Sequence, residues 1–172
     1  QGNNLETILT QTQGFIPEAQ IITWAIEACD VLQYLHTHEP EPIVCRDMKP
    51  ANIMIAPGNH VILVDFGIAK TFEAGQKGTM IGTEGYSPPE QYRGEATPQV
   101  DIYALGAVLY RAIGGKVPVE VLERINAITR QKEEDPLPLA TEIGNNHYSA
   151  NLLQGIDWAL QIAEEDRPQT IQ

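Results

Sequence analysis

The chain has 172 residues, 42% apolar and 20% charged, the composition of an ordinary globular domain long enough to bury its own core. Eleven basic against 23 acidic side chains leave a formal charge of −12. That balance excludes an electrostatic footprint for nucleic acid or an anionic membrane and reads as solubility, or as attraction to basic partners. Two cysteines, Cys29 and Cys45, do not make a disulfide framework, and the longest apolar run, Ile102 to Tyr110, is too short to span a bilayer. The sequence opens at Gln1 and reaches its first Met at Met48, so it reads as excised from something longer, with any targeting signal outside it.

In chain order, Asn3 or Asn4 caps a short helix within residues 1–10, with Glu6 in its first turn. Pro17 opens a stronger helix that runs to about His38, ahead of Pro40 and Pro42. Its apolar face is Ile21, Ile22, Ala25, Ile26, Cys29, Leu32 and Leu35, at spacings of three and four. His36 and His38 are two residues apart and share no helix face, so they read as a solvated helix end rather than a metal site. Short strands follow at Ile43-Val44, 53–55 and 61–64. The last two flank Pro57-Gly58-Asn59-His60 as a hairpin with a four-residue loop, Ile53 pairing with Val64 and Ala56 with Val61. Residues 65–96 lack a period and form one long ordered loop, and loops of that length are usually functional. Thr97-Pro98 then starts a helix whose residues Asp101 to Ile113 are apolar on nearly every side, as befits the middle of a domain. Helices at about 119–131 and 149–163 and one beginning after Pro168 complete a mainly helical domain with one small β-hairpin.

The chemistry concentrates in Arg46-Asp47-Met48-Lys49-Pro50-Ala51-Asn52 and, thirteen residues after Asn52, Asp65-Phe66-Gly67. The hairpin joins them, and its expected register sets Asn52 opposite Asp65, where paired Cα atoms lie about 4.5–5.5 Å apart. Two such oxygen-bearing side chains can share a magnesium ion with substrate phosphates and water. Asp47, on the loop entering the hairpin, is placed to take a proton from an incoming hydroxyl, and Lys49 to offer positive charge to a transferring phosphoryl group. The residue types together suggest phosphoryl transfer.

These segments resemble the C-terminal lobe of eukaryotic-type protein kinases, in particular bacterial serine/threonine kinases. Residues 44–52 look like the catalytic loop, 65–67 like the metal-binding triplet, and 65–90 like an activation segment ending in Gly82-Thr83-Glu84-Gly85-Tyr86-Ser87-Pro88-Pro89-Glu90. Residues 97–172 look like the helical subdomain, with Asp101-Ile102-Tyr103-Ala104-Leu105-Gly106 opening its central helix and Asp166-Arg167-Pro168 its final one. The resemblance covers essentially residues 1–172. It implies that Asp47 is the base or hydroxyl-orienting group, that Lys49 contacts the transferred phosphate, and that Asn52 and Asp65 hold Mg2+ or Mn2+ with ATP as co-substrate. It also implies that Thr83 shapes the substrate pocket, that Asp101 accepts backbone N–H groups of the catalytic loop, and that Glu90 pairs with Arg167. Arg46 becomes the receiver of an activation-loop phosphate, with Thr79 the first and Thr71 the second phosphosite.

Position 45 is Cys where the family usually has His, and Pro88 replaces an Ala. A small buried residue accounts for Cys45 better than a redox-sensitive thiol does. The family's glycine-rich loop, strand lysine and partner glutamate have no counterpart in these residues; Gly58 and Gly75 are isolated. The expectation is therefore an isolated C-lobe, cytoplasmic, inactive without its N-lobe, acting with it on protein substrates, and prone to self-association through the surface the N-lobe would cover. The competing readings are a degenerate lobe serving as a binding scaffold and a kinase-like small-molecule phosphotransferase. Intact Asp47, Lys49, Asn52 and Asp65 argue against the first, and Lys49 with the Gly82 to Glu90 segment against the second.

Overall fold

Twelve of the seventeen residues of one helix, Pro98–Gly114, are buried, and the rest of the chain is arranged around it. The structure, a computed structural model, describes residues 2–65, 70–71 (backbone) and 82–171. In order they form β1 (Asn3–Asn4), α1 (Leu5–Gln11), α2 (Glu18–His36), β2 (Ile43–Val44), a 3-10 turn (Pro50–Asn52), β3 (Ile53–Ile55), β4 (Val61–Leu63) and β5 (Lys70–Thr71). Then come α3 (Pro89–Tyr92), α4 (Pro98–Gly114), α5 (Val121–Asn126) running into a π turn (Ala127–Gln131), α6 (Ala140–Ile143), α7 (Ala150–Ala159) and a 3-10 turn (Glu164–Asp166). The expected character, mainly helical with a small antiparallel sheet, is present.

The central helix packs against α2, α6 and α7. Gly106 permits a close approach to α7: a Cβ there would stand 2.7 Å from that of Ala159. Asn4 caps α1 through Thr7 N–H at 2.8 Å. Pro17 serves as the cap residue of α2 rather than its first helical residue, its carbonyl accepting from Gln20 and Ile21 N–H.

The buried face of α2 is Ile21, Trp24, Ala28 and Leu32, not the whole expected set. Ile22 and Ile26 are 38% and 56% exposed, because they lie about 100° and 140° round a 3.6-residue helix from Ile21. The helix also stops at His36, two residues early.

In the hairpin, Ile53 pairs with Leu63, Met54 with Ile62 and Ile55 with Val61, one residue from the expected register. The turn decides this. Ala56 N–H donates to His60 O at 2.8 Å, so the loop is the three residues Pro57-Gly58-Asn59, with Gly58 and Asn59 in the left-handed region (φ 89° and 67°) that those residue types tolerate. A one-residue slip reverses the faces of a strand. The observed register turns Ile53, Ile55, Val61 and Leu63 inward and leaves Met54 half-buried and Ile62 51% exposed. β1 adds an unanticipated third strand on β3, and β2 pairs with β5.

Toward the C-terminus, α6 was not anticipated, and α7 is shorter than expected. Residues 168–171 hold no helix; the chain makes its 3-10 turn before Arg167 instead. Arg167 is fixed there by a fully buried ion pair. Its Nη1 donates to Glu90 Oε1 at 2.5 Å and its Nη2 to Glu90 Oε2 at 3.1 Å, with side-chain exposures of 0% and 1%. Nε and Nη2 also donate to the carbonyls of Gln161 and Ile162, and the guanidinium lies 5.0 Å from the Tyr103 ring centre. The cation's hydrogen-bonding capacity is thus met, which offsets desolvation.

Truncating one partner strands the other charge, so Glu90→Ala or Arg167→Ala should cost about 3–5 kcal/mol. Urea denaturation midpoints of the purified protein check this, and a loss under about 1 kcal/mol would contradict it.

Candidate active site

The loop before β3 is held from below by one carboxylate. Asp101, in the first turns of α4 and fully buried, accepts Cys45 N–H through Oδ2 at 2.9 Å and Arg46 N–H through Oδ1 at 2.9 Å. His36 Nε2, at the end of α2, stands 2.8 Å from Oδ2. A carboxylate only accepts, so that nitrogen carries the proton. Arg46 is left-handed (φ 64°), a conformation that costs a non-glycine residue free energy and persists only where neighbours hold it. Gln91 of α3 holds it from the other side, Nε2 donating to Arg46 O at 2.6 Å. His36 is therefore no solvated helix end: its side chain is only 8% exposed. Nothing local to His36 or Gln91 announced these roles, since their partners lie 65 and 45 residues away in sequence.

Above this support, four donor contacts converge on the Asp47 carboxylate. Lys49 Nζ lies 3.0 and 2.8 Å from its two oxygens, Asn52 Nδ2 2.9 Å from Oδ2, and Thr83 Oγ1 2.8 Å from Oδ1. Asn52 Nδ2 also bonds Asp47 O at 2.9 Å. Thr83 is oriented in turn by Ser87, whose Oγ accepts its N–H at 2.7 Å. The structure thus brings Asp47, Lys49, Asn52 and Thr83 together.

With its amide nitrogen turned to Asp47, Asn52 leaves Oδ1 with no protein donor among the described residues. Asn52 and Asp65 line one small recess with Asp47, Cys45 and Met48. The corrected register sets Asn52 across from Val64, whose N–H donates to Asn52 O at 2.9 Å, and Asp65 one residue further on in the left-handed region (φ 63°). Two oxygen donors beside an anion fit magnesium, which takes few protein ligands and completes its shell with phosphate and water. No group of three or more His, Cys, Asp or Glu side chains forms a metal cage among the described residues.

Of the other expected positions, Arg46 is 3% exposed, and its Nε and Nη2 are buried with no hydrogen-bond partner among the described residues. Thr71 joins β5 by its backbone; Phe66, Gly67 and Thr79 lie outside the described residues. Beyond the expected set, Tyr86 is tied to the helical core: Arg111 Nη1 donates to its hydroxyl at 3.0 Å, and the guanidinium forks onto both oxygens of Glu6 at 2.5 and 2.6 Å. The Arg111 contact holds the Glu6 carboxyl below its usual range.

The amino-acid sequence matches the protein kinase domain family over residues 1–172. The chain belongs to the protein kinase domain family. Among curated relatives, it is 36% identical over 135 residues to serine/threonine-protein kinase PknB of Mycobacterium leprae, covering 76% of this chain and 21% of that protein. It is 38% identical over 144 residues to the probable serine/threonine-protein kinase PknB of Corynebacterium glutamicum, covering 80% and 22%. To the Mycobacterium tuberculosis PknB it is 34% identical over 168 residues, covering 94% and 26%. The chain thus spans about a quarter or less of the length of these relatives. No helix among the described residues is long and apolar enough to cross a membrane.

Burial and the adjacent Asp101 carboxylate push the Cys45 thiol far above its ordinary pKa, which removes the thiolate that redox chemistry requires. Iodoacetamide should therefore label Cys45 at least about a hundredfold more slowly in the folded protein than in urea. Peptide mass spectrometry reads the two rates, and comparable rates would overturn the packed-thiol assignment.

Proposed function

We propose that these residues form the catalytic lobe of a serine/threonine protein kinase that transfers the γ-phosphate of ATP to hydroxyl groups of protein substrates. The observation that carries this reading is the convergence of Lys49, Asn52 and Thr83 on Asp47. It fixes one carboxylate at the mouth of a recess that also holds Asp65.

Asp47 orients the acceptor hydroxyl and takes its proton as the oxygen–phosphorus bond forms and the bond from γ-phosphorus to the bridging oxygen breaks, releasing ADP. Lys49, 30% exposed, turns from Asp47 toward the negative charge of the phosphoryl group. Asn52 Oδ1 and Asp65 would hold magnesium or manganese, which supplies charge neutralisation on the nucleotide phosphates. Thr83 shapes the pocket for a Ser or Thr side chain by keeping Asp47 in place. The outward apolar face of the hairpin, Met54 and exposed Ile62, lies next to Asn52 and offers a floor for the nucleotide base. Arg46 receives a phosphate carried by Thr79 or Thr71, which would satisfy its buried nitrogens.

Residues 1–172 correspond to a C-terminal lobe, and they contain no glycine-rich phosphate loop. Positioning is most of what a kinase contributes, so the clamp over the nucleotide has to be supplied by an N-terminal lobe. Residues 1–172 alone are accordingly expected to transfer no phosphate and to self-associate through the uncovered face. The scaffold reading is disfavoured, because the sequence keeps Asp47, Lys49, Asn52 and Asp65 intact.

Asp47→Asn in the full-length kinase should lower turnover about a hundred- to ten-thousand-fold while nucleotide affinity stays within a factor of about three. A radiolabelled phosphotransfer assay with nucleotide titration separates the two, and retained turnover would sink the role of Asp47. The same assay on residues 1–172 with magnesium, ATP and a basic acceptor protein should give no activity. Robust transfer abolished by Asp65→Ala would show this lobe to be sufficient.

A further inference from the structure

Far from Asp47 in the chain, a cleft of about 680 Å3 opens between α5 with its π turn on one side and the end of α7 on the other. Its walls are apolar: Ile125 and Ile128 face Leu160 and Ile162, and Leu139 stands on the rim. Ile128 and Leu139 are 40% and 50% exposed, a combination that marks binding surfaces more often than idle ones when it sits in a concavity.

The charge around these walls is one-sided. Five carboxylates line the cleft, and Arg124 is its one cationic lining residue. Arg124 is spent: its guanidinium bonds Asp135 at 2.7–3.2 Å, the Tyr103 hydroxyl at 3.2 Å and Leu160 O at 2.9 Å. Asp157 caps α6 through Ala140 N–H, Thr141 N–H and the Thr141 hydroxyl, at 2.5, 3.1 and 2.8 Å. Glu142 Oε2 accepts Leu139 N–H at 3.1 Å. That leaves the exposed carboxylates of Glu134 and Asp166 with no hydrogen bond or ion pair among the described residues. Arg130 and Lys132 stand on the same stretch of chain but off the lining. Neutral donors balance two of the three engaged acids without cancelling their charge, so the rim stays negative around an apolar floor.

We propose that this cleft docks a basic, amphipathic segment of a protein partner: apolar side chains seat between Ile128 and Ile162, and Lys or Arg side chains meet Glu134 and Asp166. An acidic or purely apolar segment would leave the rim carboxylates uncompensated. Docking here needs no phosphotransfer, so it can be tested apart from catalysis.

The test uses the full-length protein and a fluorescein-labelled twelve-residue amphipathic peptide of Lys, Arg and Leu, with a Glu/Leu twin of the same pattern, read by fluorescence anisotropy. The basic peptide should bind saturably and more weakly as salt rises, and the acidic twin should not bind. Ile128→Asp should weaken binding at least about tenfold. Glu134→Lys combined with Asp166→Lys should do the same and flatten the salt dependence. Glu39→Lys with Glu41→Lys, an equal charge change elsewhere, should leave affinity within about twofold. Circular dichroism melts establish that each variant is folded. Equal loss in the Glu39/Glu41 variant would reduce the binding to general charge attraction and overturn the proposal. So would indifference to both cleft variants. No saturable binding, as expected if a second copy or another part of the same chain fills the cleft, would overturn it too.

Discussion

A buried carboxylate that accepts two consecutive backbone N–H groups is the constraint on which the site depends. Asp101 sits on the most buried helix and meets Cys45 and Arg46 N–H, each at 2.9 Å. An isolated charge in that environment would be prohibitively expensive. Three nitrogen donors, His36 included, make it tolerable and at the same time fix the loop against α4. Arg46 can then remain left-handed, and Asp47, one residue further, points away from the core toward the recess. The rigidity of α4 is thereby passed to the Asp47 carboxylate, as preorganised sites require.

A second buried charge pair does the same for the segment after residue 82. Glu90 is pinned by Arg167 from the far end of the chain, and its neighbour Gln91 holds the carbonyl of Arg46. Seven residues before Glu90, Thr83 reaches Asp47, and Tyr86 between them is tied through Arg111 to Glu6 on α1. The C-terminal turn, the central helix, the first helix and the loop with Asp47 thus belong to one polar framework. Its members are charged or hydrogen-bonded at both ends, so losing one strands another. The cleft beyond α5 is built on the opposite principle: its carboxylates include two with no partner among the described residues, and its apolar walls face solvent.

Much of this was legible in the sequence because it rests on local patterns. The all-round apolar stretch Asp101 to Ile113 could only be a central helix. Asp47, Lys49, Asn52 and Asp65 stood in segments whose residue types and separation already pointed to phosphoryl chemistry, and Glu90 with Arg167 followed from the family resemblance. The misreadings share one cause, which is that a neighbour distant in sequence decided the outcome. Ile22 and Ile26 fit the helical period as well as Trp24 and Ala28 do, and which arc of α2 is buried depends on what packs against it. His36 looked like a polar helix end until α4 brought Asp101 against it. The hairpin register turned on whether Pro57-Gly58-Asn59 or a four-residue loop closes it, since both leave apolar residues to bury.

The sequence by itself determined the family, the central helix, the hairpin and the residue types gathered around Asp47. These are carried by residue type, spacing and periodicity, which act over a few positions. The tertiary structure decided the faces and the partners: which side of α2 is dry, that Asn52 stands opposite Val64 with Asp65 a step beyond, and that His36 and Gln91 brace the loop holding Asp47. It alone showed that five carboxylates from separate elements ring an apolar cleft. Burial and the meeting of charges depend on distances through space, and a linear pattern does not encode which remote residue arrives within 3 Å.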